Sequence, residues 1–187
     1  YVYTYYAPTG ELIGYTCRFD LSDGSKVVLP FTWSNVIGKN SDGSPKQSSK
    51  PSWHWNAHGW NGWPIYGAEK LLKNNSSTVL ICEGEKTALA AQSILKNCVV
   101  ISWAGGTSKA NKVDWNLLQD RNVVIWPDAD SKADRSGNLL PWYEQPGFKA
   151  ALDISKKLYE VNTYPKIVIP PQNVKDGWDL ADAKIEG

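Results

Sequence analysis

The stretch "TVLICEGEKTALAAQSIL" (residues 78–95) decides the fold, because a mostly apolar run passes directly into an alanine-rich segment of helical character. A continuous apolar run, rather than an alternating one, is typical of a strand covered on both faces. The junction carries Glu83 and Glu85, separated by one glycine. A carboxylate at the end of a buried strand is costly unless a cation lies beside it, and we therefore expect a divalent metal ion here.

Three further runs share this apolar, β-branched character. They are "CVVIS" (98–102), "NVVIW" (122–126) and "KIVIP" (166–170). Helix-like segments separate the runs, at 86–96, near 113–119 and from about 147 to 160. Alternation of strands and helices at this spacing predicts an α/β fold with a mostly parallel sheet and helices on both faces.

The first third of the chain has a different pattern. Residues 1–36 alternate aromatic or aliphatic residues with polar ones, and contain turn formers such as Asp23-Gly24, which predicts a small antiparallel sheet. Residues 38–52 contain no apolar residue, which predicts a flexible surface loop. We therefore predict a small β-rich subdomain over residues 1–77 and a second domain over 78–187.

Composition limits the possible classes of protein. The 187 residues carry a formal net charge of +1, so the chain has no global basic surface of the kind that marks a dedicated nucleic-acid binder. No apolar stretch approaches the roughly 20 residues that span a bilayer, and no leader is visible, so we expect a cytoplasmic protein without a membrane partner. The chain begins at Tyr1 and contains no Met, so we expect it to be a piece of a longer polypeptide.

Acidic residues follow three of the four apolar runs. Glu83 follows the first, Asp128 and Asp130 follow the third, and the fourth is followed by Asp176, Asp179 and Asp182. Loops at the carboxyl ends of parallel strands meet at one edge of the sheet, and converging carboxylates need a counterion such as one or two Mg²⁺ ions. The alternative is that these are ordinary capping and turn aspartates.

These motifs, in this order, resemble a TOPRIM domain, the fold shared by bacterial and phage primases, type IA and II topoisomerases and some nucleases. "LICEGEKTA" is similar to the glutamate motif of the family and "VIWPDAD" to its Asp-x-Asp motif. "SWAGGTSKA" is similar to the glycine turn after the second strand of the family. The ending "KDGWDLADAKIEG" is similar to the tail of primase-like proteins of phages, plasmids and mobile elements.

The resemblance implies a role for each acidic residue. Glu83 would be an acid, a base or a metal ligand, Asp128 and Asp130 the main ligands of Mg²⁺ or Mn²⁺, and Asp179 an outer or second-metal ligand. With Lys86 at the start of the first helix, Glu83, Asp128 and Asp130 form the predicted catalytic set. Glu85 has no counterpart in the minimal motif, and we interpret it as support for the helix dipole.

Basic residues near the motifs are candidates for holding phosphates, although any one of them could equally be a solvated surface residue. The predicted phosphate and nucleic-acid contacts are Lys86, Lys109, Lys112, Arg121 and Arg135. The chain departs from the family pattern after the Asp-x-Asp motif, where "SKADRSGNLLPWYEQ" (131–145) precedes Pro146-Gly147. This insertion could be a lid or a contact for a further domain.

Acidic residues of this kind indicate phosphoryl transfer better than they indicate one reaction. Three hypotheses remain: a primase-like nucleotidyltransferase making primers on single-stranded DNA, a metal-dependent nuclease, and a module that binds nucleic acid or a partner without turnover. The partners expected for the first are a single-stranded template, nucleoside triphosphates and further domains such as a helicase. The aromatic residues of the first third could stack bases or simply pack a core.

Overall fold

A computed structural model describes residues 1–171 and 173–186, which form an antiparallel sheet followed by a mixed sheet flanked by helices. The first sheet has strand order β1-β2-β3-β4, and neighbouring strands are antiparallel throughout. Its strands are β1 (Val2–Tyr6), β2 (Leu12–Asp20), β3 (Lys26–Lys39) and β4 (Pro45–His54). The antiparallel sheet predicted for the first third of the chain is confirmed.

The prediction of a loop over residues 38–52 is wrong for most of its length. Only residues 40–44 form a turn, closed by the bond from the Asn40 amide to the Ser44 carbonyl at 2.8 Å, and β4 then pairs with β3. β4 is an edge strand of its sheet. Backbone hydrogen bonds hold such a strand without apolar side chains, and Lys and Pro are common at sheet edges.

The second sheet has strand order β5-β7-β6-β8-β9. Its strands are β5 (Ile65–Tyr66), β6 (Thr78–Cys82), β7 (Cys98–Trp103), β8 (Val123–Trp126) and β9 (Lys166–Ile167). β5 is antiparallel to β7, whereas β7, β6, β8 and β9 run parallel. β9 is shorter than the predicted run 166–170, because Pro170 has no N–H to continue the ladder.

Helices cover both faces of the second sheet. They are α1 (Ala68–Lys73), α2 (Glu85–Ile94), α3 (Pro146–Glu160) and α4 (Leu180–Glu186). α1 and α3 pack on the face that carries Val79 and Ile81, and α2 and α4 pack on the face that carries Leu80. The helix predicted near 113–119 is replaced by two short 3-10 turns, Thr107–Lys112 and Asn116–Leu118, separated by extended backbone at Val113.

The two sheets are joined through the inner face of the first. Tyr3 and Tyr5 of β1 are buried there, in a cluster with Trp60 and Ala104. β5 and α1 precede residue 78 in the chain but belong to the second sheet, and the domain boundary at residue 77 stays a prediction. In the described part of the chain, no helix combines the length and the hydropathy that crossing a bilayer requires.

Candidate metal centre

Glu83 lies directly after β6, where the chain turns into α2. The turn is made by Gly84, whose φ of 79° is in the region that favours glycine. The Glu83 Oε1 atom accepts a hydrogen bond of 2.6 Å from the Thr107 hydroxyl. Thr107 begins the turn that follows β7, so this bond ties together the loops after two neighbouring parallel strands.

The Asp-x-Asp pair lies after β8, the other neighbour of β6. The Asp130 Oδ2 atom accepts a hydrogen bond of 2.6 Å from the Gly147 amide, in the first turn of α3. A helix N-terminus favours an anionic group at this position. Gly147 has no room for a side chain, because a Cβ atom there would lie 2.9 Å from the Asp128 carbonyl oxygen and 3.0 Å from Asp130 Oδ2.

Asp128 is the most perturbed carboxylate among the described residues. Its pKa is raised to about 8, first by burial and then by the negative charges of Glu83, Asp179 and Asp130. Lys26 partly offsets this rise from a distance. Among the described residues, none donates a hydrogen bond or an ion pair to the Asp128 side chain. A buried carboxylate surrounded by like charges is stabilised by protonation or by a bound cation.

Asp179 caps α4 and contacts α2. Its Oδ1 atom accepts bonds from the Ala181 amide at 2.6 Å and the Asp182 amide at 3.1 Å, and its Oδ2 atom accepts one from the Thr87 hydroxyl at 2.7 Å. Its charge still acts on Asp128 and helps to raise the pKa of the buried Cys82 thiol, after burial itself and Asp128. Asp179 therefore lies beside the cluster with both of its oxygens occupied.

The other two aspartates after the fourth run form ion pairs. Asp176 accepts bonds from Lys132 Nζ at 2.5 Å and from the Ser131 amide at 2.8 Å, and these bonds hold its pKa below the usual value. Asp182 pairs with Lys175 at 2.6 Å. These two aspartates therefore fit the alternative of ordinary structural residues.

The four carboxylates of the cluster match the ligand chemistry of a hard divalent cation. Glu83, Asp128, Asp130 and Asp179 offer only carboxylate oxygens, the ligands preferred by Mg²⁺ and Mn²⁺. As the side chains lie, however, no three His, Cys, Asp or Glu groups in residues 1–171 and 173–186 are placed to hold one ion together. Three of the four carboxylates accept hydrogen bonds from the protein instead, and only Asp128 is left without a donor among the described residues.

Of the five predicted phosphate contacts, Lys86 and Lys109 lie on the segments that follow β6 and β7 at this edge of the sheet. Lys112 ends the second of these segments and lines a hollow with Lys157 and Glu160 at the end of α3. Lys86 is exposed in the first turn of α2, where its charge acts on Asp20 and Asp182. Lys109 follows the glycine turn and lies over the ring of Trp63, with Nζ 5.1 Å from the ring centroid. Lys112 and Arg135 are exposed. Their roles stay predictions.

The structure corrects the prediction that Arg121 contacts phosphate. It precedes β8 and lies at the opposite edge of the sheet, where its guanidinium donates to the carbonyls of Leu71 at 3.2 Å, Asn74 at 2.7 Å and Ser77 at 3.2 Å. These bonds satisfy carbonyls at the end of α1 and before β6. Arg121 is a structural residue, and sequence spacing does not reveal such distant partners.

The insertion after the Asp-x-Asp motif folds into a small hairpin over residues 132–140. Ala133 and Leu139 form an antiparallel bridge, and the buried Gln145 side chain bonds to both the amide and the carbonyl of Lys132. A cleft of about 140 Å³ lies between the hairpin and the Asp-x-Asp loop, and its walls include Asp128, Trp142 and Asn173. The insertion therefore borders the acidic cluster.

The sequence analysis missed or misinterpreted several residues that shape the site. Glu85 is buried and accepts a hydrogen bond of 2.6 Å from the Tyr5 hydroxyl, so it anchors α2 to the first sheet rather than merely supporting the helix dipole. Thr107 and Gly147 hold Glu83 and Asp130. In the sequence, only the position of Gly147 directly after a proline indicated its place, because proline is common at the start of a helix.

Comparison with known proteins gives limited matches. The family described as "Domain of unknown function (DUF6371)" matches residues 39–129, just under half of the chain. No curated protein matches the sequence. Among solved structures, the primase fragment of the bacteriophage T7 primase-helicase protein is similar with a TM-score of 0.46 and 15% identity, over 92% of this chain and 64% of that one.

A DNA primase domain from Pseudomonas aeruginosa is similar with a TM-score of 0.45 and 14% identity, over 98% of this chain and 51% of that one. The chain thus spans between about half and two thirds of the length of these structures. TM-scores below 0.5 and identities near 15% do not establish a common fold or activity.

Proposed function

We propose that this chain is a TOPRIM-like catalytic core of a DNA primase-like enzyme, which joins nucleotides on single-stranded DNA in a reaction that depends on Mg²⁺ or Mn²⁺. The observation that carries the proposal is the state of Asp128. Its carboxylate is half-buried, lies among three other carboxylates and has no cationic partner at bonding distance in the described part of the chain. A bound divalent cation would neutralise the repulsion among these carboxylates.

The order of the site residues along the sheet supports the TOPRIM-like assignment. Glu83 follows the central strand β6, and the Asp-x-Asp pair follows its neighbour β8. Divalent ions at these carboxylates would supply the charge neutralisation and nucleophile activation that phosphoryl transfer needs.

The residues of the chain itself have separate tasks in this proposal. Asp128 and Asp130 would hold the ions, and the α3 N-terminus keeps Asp130 in place. Glu83, oriented by Thr107, would act as the acid or base at the reacting oxygen. Lys86, on the exposed first turn of α2, would bind a phosphate of the nucleotide or template.

A nuclease of the same fold would use the same groups with water as the nucleophile. A module without turnover is favoured by a different observation: the carboxylates of Glu83, Asp130 and Asp179 are engaged by donors of the protein. Measured turnover separates these possibilities.

The direct test incubates the chain with labelled nucleoside triphosphates, a single-stranded DNA template and Mg²⁺ or Mn²⁺. We expect short labelled products from the wild-type protein, and at least a hundredfold less from Asp128→Ala. The matched control is Asp153→Ala, which removes an exposed carboxylate of α3 that forms an ion pair with Lys156.

Shortening of the template in place of primer synthesis would support the nuclease. Absence of both products, with binding of the template retained, would support the module without turnover. Equal product from wild type and Asp128→Ala would contradict the assignment of the site.

A further inference from the structure

The outer face of the first sheet carries a continuous row of aromatic side chains, here called the aromatic strip. It comprises Tyr15, Phe19, Phe31, Trp33, Trp53 and Trp55. Several of these rings are largely exposed, with exposed fractions of 46% for Phe19, 52% for Trp33 and 55% for Trp55. Large aromatic residues normally lose most of their exposure on folding, so an exposed row of them indicates an interaction surface.

The rings of the strip contact one another from end to end. The Trp55 ring lies between Phe19, at 6.1 Å, and Phe31, at 4.5 Å between ring centroids. Phe31 in turn stacks on Trp53 with centroids 5.2 Å apart and ring planes within 21°. Tyr15 and Trp33 also contact Trp53, with ring centroids 5.4 Å and 5.7 Å away.

The strip is not the core of the first sheet. Strand pairing places Tyr15 opposite Phe31 and Trp33 opposite Trp53, all on one face. The other face carries the buried Tyr3 and Tyr5, which pack toward the second sheet. The hydrophobic contacts that join the sheets therefore leave the strip free for a partner.

Charge indicates the nature of that partner. Residues 26–54, which form β3 and β4, contain Lys26, Lys39, Lys46 and Lys50 but only one acidic residue, Asp42. This segment thus has a formal charge of +3 (His neutral), whereas the whole chain has +1. None of the four lysines forms an ion pair within the described residues.

We propose that the aromatic strip binds single-stranded DNA, with bases stacked on its rings and the neighbouring lysines contacting phosphates. Aromatic rings beside unpaired lysines are the combination that binds single strands without sequence preference. A purely apolar protein partner would not require the excess of positive charge. We assign the surface to single-stranded DNA because the proposed function uses a single-stranded DNA template, and binding of RNA is an outcome of the test below.

Strand pairing places Lys26 on the other face of the sheet. Lys26 lies opposite Asp20, one residue away from the Phe19–Val27 pair of the strip face, so the two residues share the face that carries Tyr3 and Tyr5. The charge of Lys26 opposes the rise in the pKa of Asp128, in keeping with this placement. Lys26 is therefore not one of the lysines that a strand on the strip would contact.

The role of this strand as a template rests on the proposed function, but its binding needs neither metal nor turnover. The test is fluorescence anisotropy of labelled oligo(dT) of about 16 nucleotides, in EDTA, with the full chain. Removal of two exposed rings in Trp33→Ala/Trp55→Ala should weaken binding at least tenfold. Trp33→Phe/Trp55→Phe, which keeps rings at both positions, should lose less than threefold.

A matched control removes two exposed rings elsewhere, in Tyr159→Ala/Tyr164→Ala, and should bind like the wild type. Lys46→Gln/Lys50→Gln should lower the slope of log affinity against log salt by about 1.4, while Lys96→Gln, an exposed lysine on another surface, should not. Asp128→Asn should retain binding even if it abolishes primer synthesis, so a failure of catalysis is distinguishable from a failure of this proposal.

The proposal is overturned if the wild-type protein does not bind oligo(dT), or if the two Trp→Ala changes leave its affinity unchanged while circular dichroism shows a folded protein. Tighter binding of matched oligo(U) would overturn the choice of DNA. Equal affinity for duplex DNA and oligo(dT) would contradict stacking of bases on the strip, because the bases of a duplex are not free to stack on protein rings. Sedimentation showing that a second copy covers the strip, with loss of the dimer in the Trp→Ala variant, would replace DNA by the chain itself.

Discussion

Asp128 is the residue on which the proposed metal centre depends. A carboxyl pKa of about 8 means that the folded chain keeps a proton that the unfolded chain, with a pKa of about 4, releases. The stability contributed by this group is therefore fully present below about pH 4 and is lost as the pH rises toward 8. At neutral pH the metal-free protein is less stable than the same fold with a neutral side chain at this position.

Asp128→Asn should accordingly stabilise the metal-free protein. We expect its Tm in EDTA at pH 8 to exceed that of the wild type by roughly 4 °C, which corresponds to about 1–2 kcal/mol. The difference should narrow at pH 5, where the wild-type carboxyl is protonated. Thermal unfolding monitored by circular dichroism at both pH values measures this.

Asp153→Asn serves as the control, since its exposed ion pair with Lys156 contributes little to stability. A Tm of Asp128→Asn equal to or below that of the wild type at pH 8 would show that the charge of Asp128 is not destabilising.

At the scale of elements, the site depends on how closely α3 approaches the Asp-x-Asp loop. The Gly147 amide bonds to Asp130, and its Cα lies against the backbone of Asp128. Such an approach is possible only without a Cβ atom.

Gly147→Ala should therefore displace the start of α3 from Asp130. We expect a loss of about 1–3 kcal/mol in the free energy of unfolding and a weaker response of the Tm to Mn²⁺. Gly38→Ala is the matched control, since a Cβ atom on this β3 glycine would meet nothing within 4 Å. Denaturant titrations with and without Mn²⁺ measure both effects, and equal values for the two variants would contradict the role of Gly147.

The elements also show what the sequence could predict. Apolar β-branched runs predicted β6 over its full length and β7 and β8 to within one residue, because strands buried on both faces leave an unambiguous pattern. β4 was missed because backbone hydrogen bonds hold an edge strand. Arg121 was misassigned because its partners, among them Leu71 and Ser77, lie more than forty residues away.

At the scale of the molecule, residues from separate segments meet at one edge of the second sheet. Parallel strand direction could be predicted from the sequence, and with it the convergence of Glu83 with the Asp-x-Asp pair. The bond between Tyr5 and Glu85, which fixes the first sheet beside the site, could not, since it joins residues 80 positions apart.

Binding of a divalent cation at this meeting point is the central claim, and calorimetric titration of the full chain with Mn²⁺ tests it most directly. At pH 7 we expect one or two ions to bind and up to one proton to be released, because Asp128, with a pKa of about 8, must lose its proton to become a ligand. Affinity should rise with pH and level off above about pH 8. Asp128→Asn should bind at least tenfold more weakly, with no proton released. Absence of binding at millimolar Mn²⁺, or equal affinity and proton release in Asp128→Asn, would contradict the account.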